Sequence, residues 1–116
     1  MKVRAKDLTG KWVYGIAASD DRTRLLTDNE KIRFIVDPNT VCFASQRLDS
    51  NGVDIFDKDI VKTDDEYLVV YNILCEWLVG DPKLVDVYQL FHSDLSDVKN
   101  ITVVGNIVDN PKFFGD

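Results

Sequence analysis

Apolar and polar residues alternate along much of the chain at the two-residue period of a half-buried strand. Trp12, Tyr14 and Ile16 take every second position between Lys11 and Ala17. Alternation also marks Val3 to Lys6, Thr40 to Ala44 and Leu84 to His92, and strands are read over the β-branched run Lys31 to Val36 and over Ile101 to Val104, continued by Ile107-Val108. Turn-forming clusters separate them: Asp7-Leu8-Thr9-Gly10, Ser19-Asp20-Asp21, Asp37-Pro38, Asp64-Asp65 and Gly80-Asp81-Pro82. The first two segments suit a hairpin. Arg22 to Leu26 is ambiguous, and Thr27-Asp28-Asn29-Glu30 has the composition of a helix cap, although the β-branched run after it favours strand. Gly105 marks a bulge or bend. Single helical turns are expected over Asp94–Asp97 and over Asn110–Phe114, where Asn110 would cap and Pro111 would take the first helical position.

Two stretches organise the rest. From Leu48 to Lys62 the chain turns at Asn51-Gly52, presents Ile55-Phe56, bends over Asp57-Lys58-Asp59 and continues into Ile60-Val61. Asn-Gly suits a tight turn because both residues tolerate positive φ. Glu66 to Leu78 reads as one long strand in which Tyr67, Val69, Tyr71 and Ile73 alternate with Leu68, Val70, Asn72 and Leu74. A helix over Tyr71 to Val79 ranks below it, given the β-branched and aromatic content. Both faces of this strand are apolar. With the first set filling an interior, Leu68, Val70, Leu74, Trp77 and Leu78 become an interface for a second copy, or a seat for residues 1–36 folded back as a lid.

A chain of 116 residues that is 45% hydrophobic buries enough surface to fold without a metal or disulfide. One domain over residues 1–116 is expected, with a candidate lobe 1–38 packing on a barrel of 39–116. The short strands and regular turns indicate a mainly β fold: a small, strongly bent-sheet or SH3-like barrel with short helical turns. The net charge of −6 argues against non-specific binding to nucleic acid or to an anionic membrane. Met1-Lys2-Val3-Arg4 opens without an apolar leader core, and no run approaches a membrane span, so a cytoplasmic location is expected. Cys42 and Cys75 both stand in apolar runs and read as buried, reduced thiols.

Candidate chemistry is sparse. Asp49, Asp54, Asp57, Asp59, Asp64 and Asp65 are close in sequence but miss the calcium-loop pattern, since Val53 stands at its fifth position and Gly52 falls two residues early. They read as turn formers, with a weak adventitious cation site as the alternative. His92, the single histidine, has Asp94 and Asp97 nearby in sequence, yet a lone histidine at a strand end is far more often structural. No nucleophile elbow, phosphate-binding loop or dinucleotide fingerprint is present. No catalytic, cofactor or metal residue is assigned, and no cofactor is expected. Trp12, Tyr14, Tyr67, Tyr71, Trp77, Tyr88, Phe91, Phe113 and Phe114 are first of all core, then protein interface. A base-stacking platform comes last, because Arg22, Arg24, Lys31, Arg33 and Arg47 are the only loose basic grouping.

Asp49-Ser50-Asn51-Gly52-Val53-Asp54-Ile55-Phe56-Asp57-Lys58-Asp59-Ile60-Val61-Lys62 resembles the "DKNG-x-x-I-[FY]-EGDIV" stretch of the YopX family of phage and prophage proteins. Val104-Gly105-Asn106-Ile107-Val108-Asp109-Asn110-Pro111 resembles that family's "IGNI-x-[ED]NP". Gly10-Lys11-Trp12-Val13-Tyr14-Gly15 and Val36-Asp37-Pro38-Asn39-Thr40-Val41 look like further family pieces, in the family's order. The chain departs from the pattern at Ser45-Gln46-Arg47, where members carry "TGL", and at Lys58, where they carry Gly. Lysine suffers a steric cost in the left-handed region, so the second departure argues against a left-handed bend. The resemblance implies a small β protein of phage or prophage origin and no catalytic residues. The expected function is a non-enzymatic protein of the host bacterial cytoplasm that acts through protein contacts, including contacts with itself. A nucleic-acid-associated accessory protein is the alternative, marked by a contiguous basic and aromatic face, and a small enzyme is a distant third.

Overall fold

The computed structural model describes residues 2–17, 24–26, 33–73, 76–82 and 92–115. The expected turn at 19–21, the cap at 27–30, Arg22, Lys31, Leu74, Cys75, Tyr88, Phe91 and the strand expected from Leu84 as far as Phe91 lie outside the described residues. The chain divides into two compact units, Met1–Ala44 and Ser45–Asp116.

In the N-terminal unit β1 (Lys2–Lys6), β2 (Trp12–Ala17), β3 (Arg24–Leu26) and β4 (Arg33–Ile35) follow one another as antiparallel neighbours. The far side of β1 pairs with the start of β5 (Cys42–Leu48), Val3 opposite Phe43 and Arg4 opposite Cys42. The alternation in β1 and β2 sends Val3, Ala5 and Val13 to one face, where they bury with Val36 and Val41 against Phe34 and Phe43. The first hairpin is closed by Asp7. Its Oδ1 accepts from Thr9 N at 2.9 Å, Thr9 Oγ1 at 2.6 Å and Lys11 N at 3.0 Å. Those bonds, Thr9's hydroxyl foremost and Lys11's N–H next, hold the Asp7 carboxyl below its ordinary value. Gly10 takes the left-handed position of the turn at φ 86°.

Asp37-Pro38 does more than stop a strand. Asp37 caps a 3-10 turn over Pro38–Thr40 by accepting from Asn39 N at 3.0 Å. Buried Thr40 then accepts from Lys6 N at 2.8 Å and donates to Asp37 O at 2.7 Å, which locks the turn onto the end of β1. The Cys42 thiol is fully buried and lies 3.3 Å from Thr40 O. Alkylation under denaturing, non-reducing conditions is therefore expected to modify both Cys42 and Cys75, whereas Cys42 resists the reagent in the native chain. An intact disulfide in freshly prepared protein contradicts this.

In the C-terminal unit β5 continues beside β6 (Asp54–Phe56). A second sheet has the order β10-β9-β8-β7-β11, built from β7 (Asp59–Lys62), β8 (Tyr67–Ile73), β9 (Glu76–Gly80), β10 (His92–Asp94) and β11 (Thr102–Asn106). All its neighbours are antiparallel. Asp94 caps a 3-10 turn over Leu95–Asp97, as expected. The register of β11 on β7 shifts between Val103 and Gly105, so the expected irregularity at Gly105 is a bulge. A Cβ there would stand 3.1 Å from Asn110 Nδ2, which would have to give by a few tenths of an ångström, and 4.0 Å from Ile60 Cδ1. Residues 107–114 form successive turns rather than a helix: Asn110 N donates to Asn106 O, and Phe113 N to Asn110 O. Phe113 still anchors this end, with its ring edge-on to Tyr67 at 5.3 Å and to Phe114 at 5.0 Å.

The mainly β architecture stands, but the sheets do not close into a barrel. The five-stranded sheet ends at β10 and β11. The reason lies in Glu66 to Leu78, which is not one strand but two. β8 and β9 pair from Ile73 opposite Glu76 to Val69 opposite Gly80, so no long bent strand remains to be shared around a barrel. Between the paired residues Ile73 and Glu76 the sequence carries none of the Gly, Pro or Asn that usually announces a reversal.

Four of the five residues expected at an interface are described. Leu68, Val70 and Leu78 are buried, and Leu68 and Val70 belong to a core with Ile55, Val61, Val79, Leu95 and Ile101. Leu74 lies outside the described residues. Trp77 is half-buried and packs on the edge of that core with Val98 and Val103. Within this unit Leu68 and Val70 are covered by Leu95 and Ile101, together with Ile55. On the other face Val69, directly opposite Ile60, is fully buried as well, whereas Tyr67 is largely exposed.

The bend at Lys58 is left-handed after all, with φ 71°, and Gln46 stands at φ 65° where family members carry Gly. Tertiary bonds impose the conformation on Lys58: its N–H donates to Val70 O at 2.8 Å and its carbonyl accepts from Ile107 N at 2.9 Å. The left-handed region costs a side-chain-bearing residue about 1–2 kcal/mol. Glycine gives back about 0.5–1 kcal/mol of that in chain entropy. Lys58→Gly is thus expected to raise the unfolding free energy by roughly 0.5–1 kcal/mol. A lower urea midpoint for the variant contradicts this.

Candidate functional site

The family-like stretch is built around Asp49. Its buried carboxylate accepts three backbone N–H groups: Asn51 at 2.8 Å and Val53 at 2.9 Å on Oδ1, and Val103 at 2.9 Å on Oδ2. The first two close the Asn51-Gly52 turn, in which Gly52 adopts φ 79°, and the third ties that turn to β11. Burial opposes ionisation of Asp49, but the N–H groups of Val103, Val53 and Asn51 together outweigh it and hold the carboxyl below its ordinary value. Asp59, also buried, accepts from Phe56 N at 2.8 Å across the Lys58 bend. In the second motif Asn106 accepts from Asp109 N at 2.8 Å, donates to Asp109 Oδ2 at 3.1 Å, and its carbonyl accepts from Asn110 N at 2.9 Å. Both motifs are occupied with holding backbone in place.

His92 opens β10. Its sequence neighbour Asp94 is engaged locally, accepting from Ser96 N at 2.9 Å and Ser96 Oγ at 2.7 Å. Ser96's hydroxyl, then its N–H, and Arg47's charge last, hold the Asp94 carboxyl below its ordinary value.

What the C-terminal unit offers to a ligand is a groove that meets at Arg47. One cavity of about 420 Å³ is lined by Ser45, Arg47, Glu76, Trp77, Asp94, Leu95 and Ser96. A neighbour of about 340 Å³ runs past Arg47 over Leu48, Ser50, Val98, Lys99 and Asn100. The left-handed Gln46 creates this arrangement. It interrupts the alternation of β5, and Arg47 and Leu48 are then both exposed in succession, Leu48 at 61%. Arg47 N also donates to Ser45 Oγ at 3.1 Å, which fixes the kink. Of the five residues expected at an interface, Trp77 reaches this groove, whereas Leu68, Val70 and Leu78 do not line it. Leu48, Ser96 and Lys99 were not legible as site residues, because the groove joins segments some fifty positions apart in the chain. The one local signal is a pair of large exposed side chains at consecutive strand positions.

A family model described as YopX protein matches residues 47–114, more than half of the chain and nearly all of the C-terminal unit. The chain belongs to the YopX family. No curated protein and no solved structure matches it. The YopX match spans both motifs, the Asp49 hub and most of the Arg47 groove, and it begins three residues after the N-terminal unit ends. Among the described residues no helix is long and apolar enough to cross a membrane.

Proposed function

We propose that this YopX-family chain is a phage- or prophage-encoded protein that acts in the host cytoplasm by protein contact and not by catalysis, with the Arg47 groove as its contact surface. The observation that carries this reading is the placement of Arg47 between two confluent cavities, with exposed Leu48 on one side and Trp77 on the other. Arginine and tryptophan are the residue types that most often dominate the energetics of protein interfaces. The groove suits a partner segment that lays an apolar side chain against Leu48 and Trp77 and offers an acceptor to Arg47. Support also comes from the motif carboxylates: those of Asp49 and Asp59 are engaged by backbone N–H groups, which is architectural work.

Affinity capture from host cells carrying the phage tests the reading. The wild-type chain is compared with Arg47→Glu, Trp77→Ala and a control, Lys112→Glu, at an exposed position remote from the groove in sequence. A partner retained by wild type and control but lost from both groove variants, each still folded by circular dichroism, is the expected result. A partner retained equally by all four chains sinks the groove as the contact surface.

A further inference from the structure

The outer face of the N-terminal sheet carries a second chemistry. β1 reads Lys2-Val3-Arg4-Ala5-Lys6; its alternation buries Val3 and Ala5 on one face, while on the other Lys2 is exposed, Lys6 half-buried and Arg4 buried. Lys2 stands opposite Ile16, Arg4 opposite Tyr14 and Lys6 opposite Trp12. Residues directly opposite in an antiparallel pair share a face, so each cation has a large apolar or aromatic cross-strand neighbour. In register, Ile16 stands opposite Leu26 and Leu26 opposite exposed Arg33, a fourth cation. The Arg4 guanidinium lies 4.8 Å from the centre of the Trp12 ring, and the Lys6 ammonium 5.3 Å from it. Tyr14 is 49% exposed, Ile16 43% and Ile35 59%.

Charge follows the same division. Strands β1 to β4 contain no Asp or Glu. Residues 1–44 carry eight Lys and Arg against six Asp and Glu, whereas residues 45–116 carry six against fourteen. The acidic balance of the chain thus belongs to its C-terminal unit.

We infer that this face binds single-stranded nucleic acid. A single strand offers two things together, a phosphate backbone and unstacked bases, and this face answers both. Exposed Tyr14 can take one base; Trp12, two residues away on the same strand and about 7 Å along the sheet, is half-buried beside Arg4 and Lys6 and offers the next base only its uncovered part. Lys2, Lys6 and Arg33 stand beside them for the phosphates. A duplex hides the faces of its bases and would meet only the cations. A protein partner would favour an apolar centre with charge confined to its rim. Here two rings each stand directly opposite a cation across the strands, Tyr14 opposite Arg4 and Trp12 opposite Lys6. The inference uses a different surface from the Arg47 groove and does not depend on it.

Fluorescence anisotropy of the full chain with a short labelled oligothymidine, and with a duplex of the same length, tests it. Binding to the single strand is expected to be at least tenfold tighter and to weaken as salt is raised. Tyr14→Ala is expected to weaken it about tenfold, as loss of one stacked base does, while Tyr14→Phe keeps it. The pair Lys2→Glu, Lys6→Glu is expected to make the log–log salt dependence shallower by about 1.4. Val104→Ala, at an exposed position of β11, is expected to change nothing. No anisotropy change up to roughly 100 µM protein at low salt overturns the inference. So does wild-type affinity in Tyr14→Ala, or a duplex bound as tightly as the single strand.

Discussion

Asp49→Ala is expected to lower the unfolding free energy of the C-terminal unit by about 3–5 kcal/mol. The substitution leaves three backbone N–H groups, those of Asn51, Val53 and Val103, without the carboxylate that accepts them. Each such bond to a charged group contributes about 1.5–3 kcal/mol, and water entering the vacated space recovers part of the sum. Asp49→Asn is expected to fall between, because an amide offers one acceptor oxygen and turns a donor toward one of the three N–H groups. The pH dependence has a fixed sign. A carboxyl whose folded pKa is depressed stabilises the fold above its unfolded value of about 3.9 and loses that contribution as pH falls through the folded value. Asp7 and Asp94 are shifted the same way as Asp49. Stability is therefore expected to be nearly flat from neutral pH to about 5 and to drop below about 4, with a shallower drop in Asp49→Asn. Urea unfolding followed by Trp77 fluorescence in a Trp12→Phe background reads the unit directly. A loss under about 1 kcal/mol for Asp49→Ala removes Asp49 as the hub of the motif.

Val70→Asp is expected to abolish the folded C-terminal unit rather than dissociate an oligomer. Val70 is fully buried among Leu68, Val79, Leu95 and Ile101, so the new carboxylate has neither water nor a partner. An unpaired buried charge costs several kcal/mol, comparable to the whole stability of a small domain. Leu95→Ala probes the same core from its covering side and is expected to cost about 2–5 kcal/mol. Were this face instead covered by a second copy, Val70→Asp would give a folded monomer and Leu95→Ala would matter little. Circular dichroism with sedimentation equilibrium separates the two outcomes.

The strands whose polar and apolar residues alternate cleanly, β1 and β2, were legible in the sequence, as were the turns at Asp7–Gly10 and Asn51-Gly52. So was the capped 3-10 turn after Asp94. The β8–β9 reversal was not, because Leu74 and Cys75 carry no turn chemistry, and this single silence produced both the long strand and the expected apolar interface. Lys58 misled for a related reason. Local propensity argues against a left-handed lysine, but bonds from Val70 and Ile107, one near in the fold and one distant in the chain, decide the backbone there. The basic face of β1 was hidden by counting charge over the whole chain instead of by unit. The Arg47 groove was hidden because a left-handed kink, not the strand period, aims Arg47 and Leu48.

A photo-crosslinking residue placed at Ser96 in the groove, and at Lys112 as a control, tests the proposed contact surface most directly, in cells that express the chain. The account predicts a discrete protease-sensitive adduct from position 96 that disappears in the Trp77→Ala background, and none from position 112. The same adduct from positions 96 and 112 alike, or an adduct at 96 indifferent to Trp77, contradicts it.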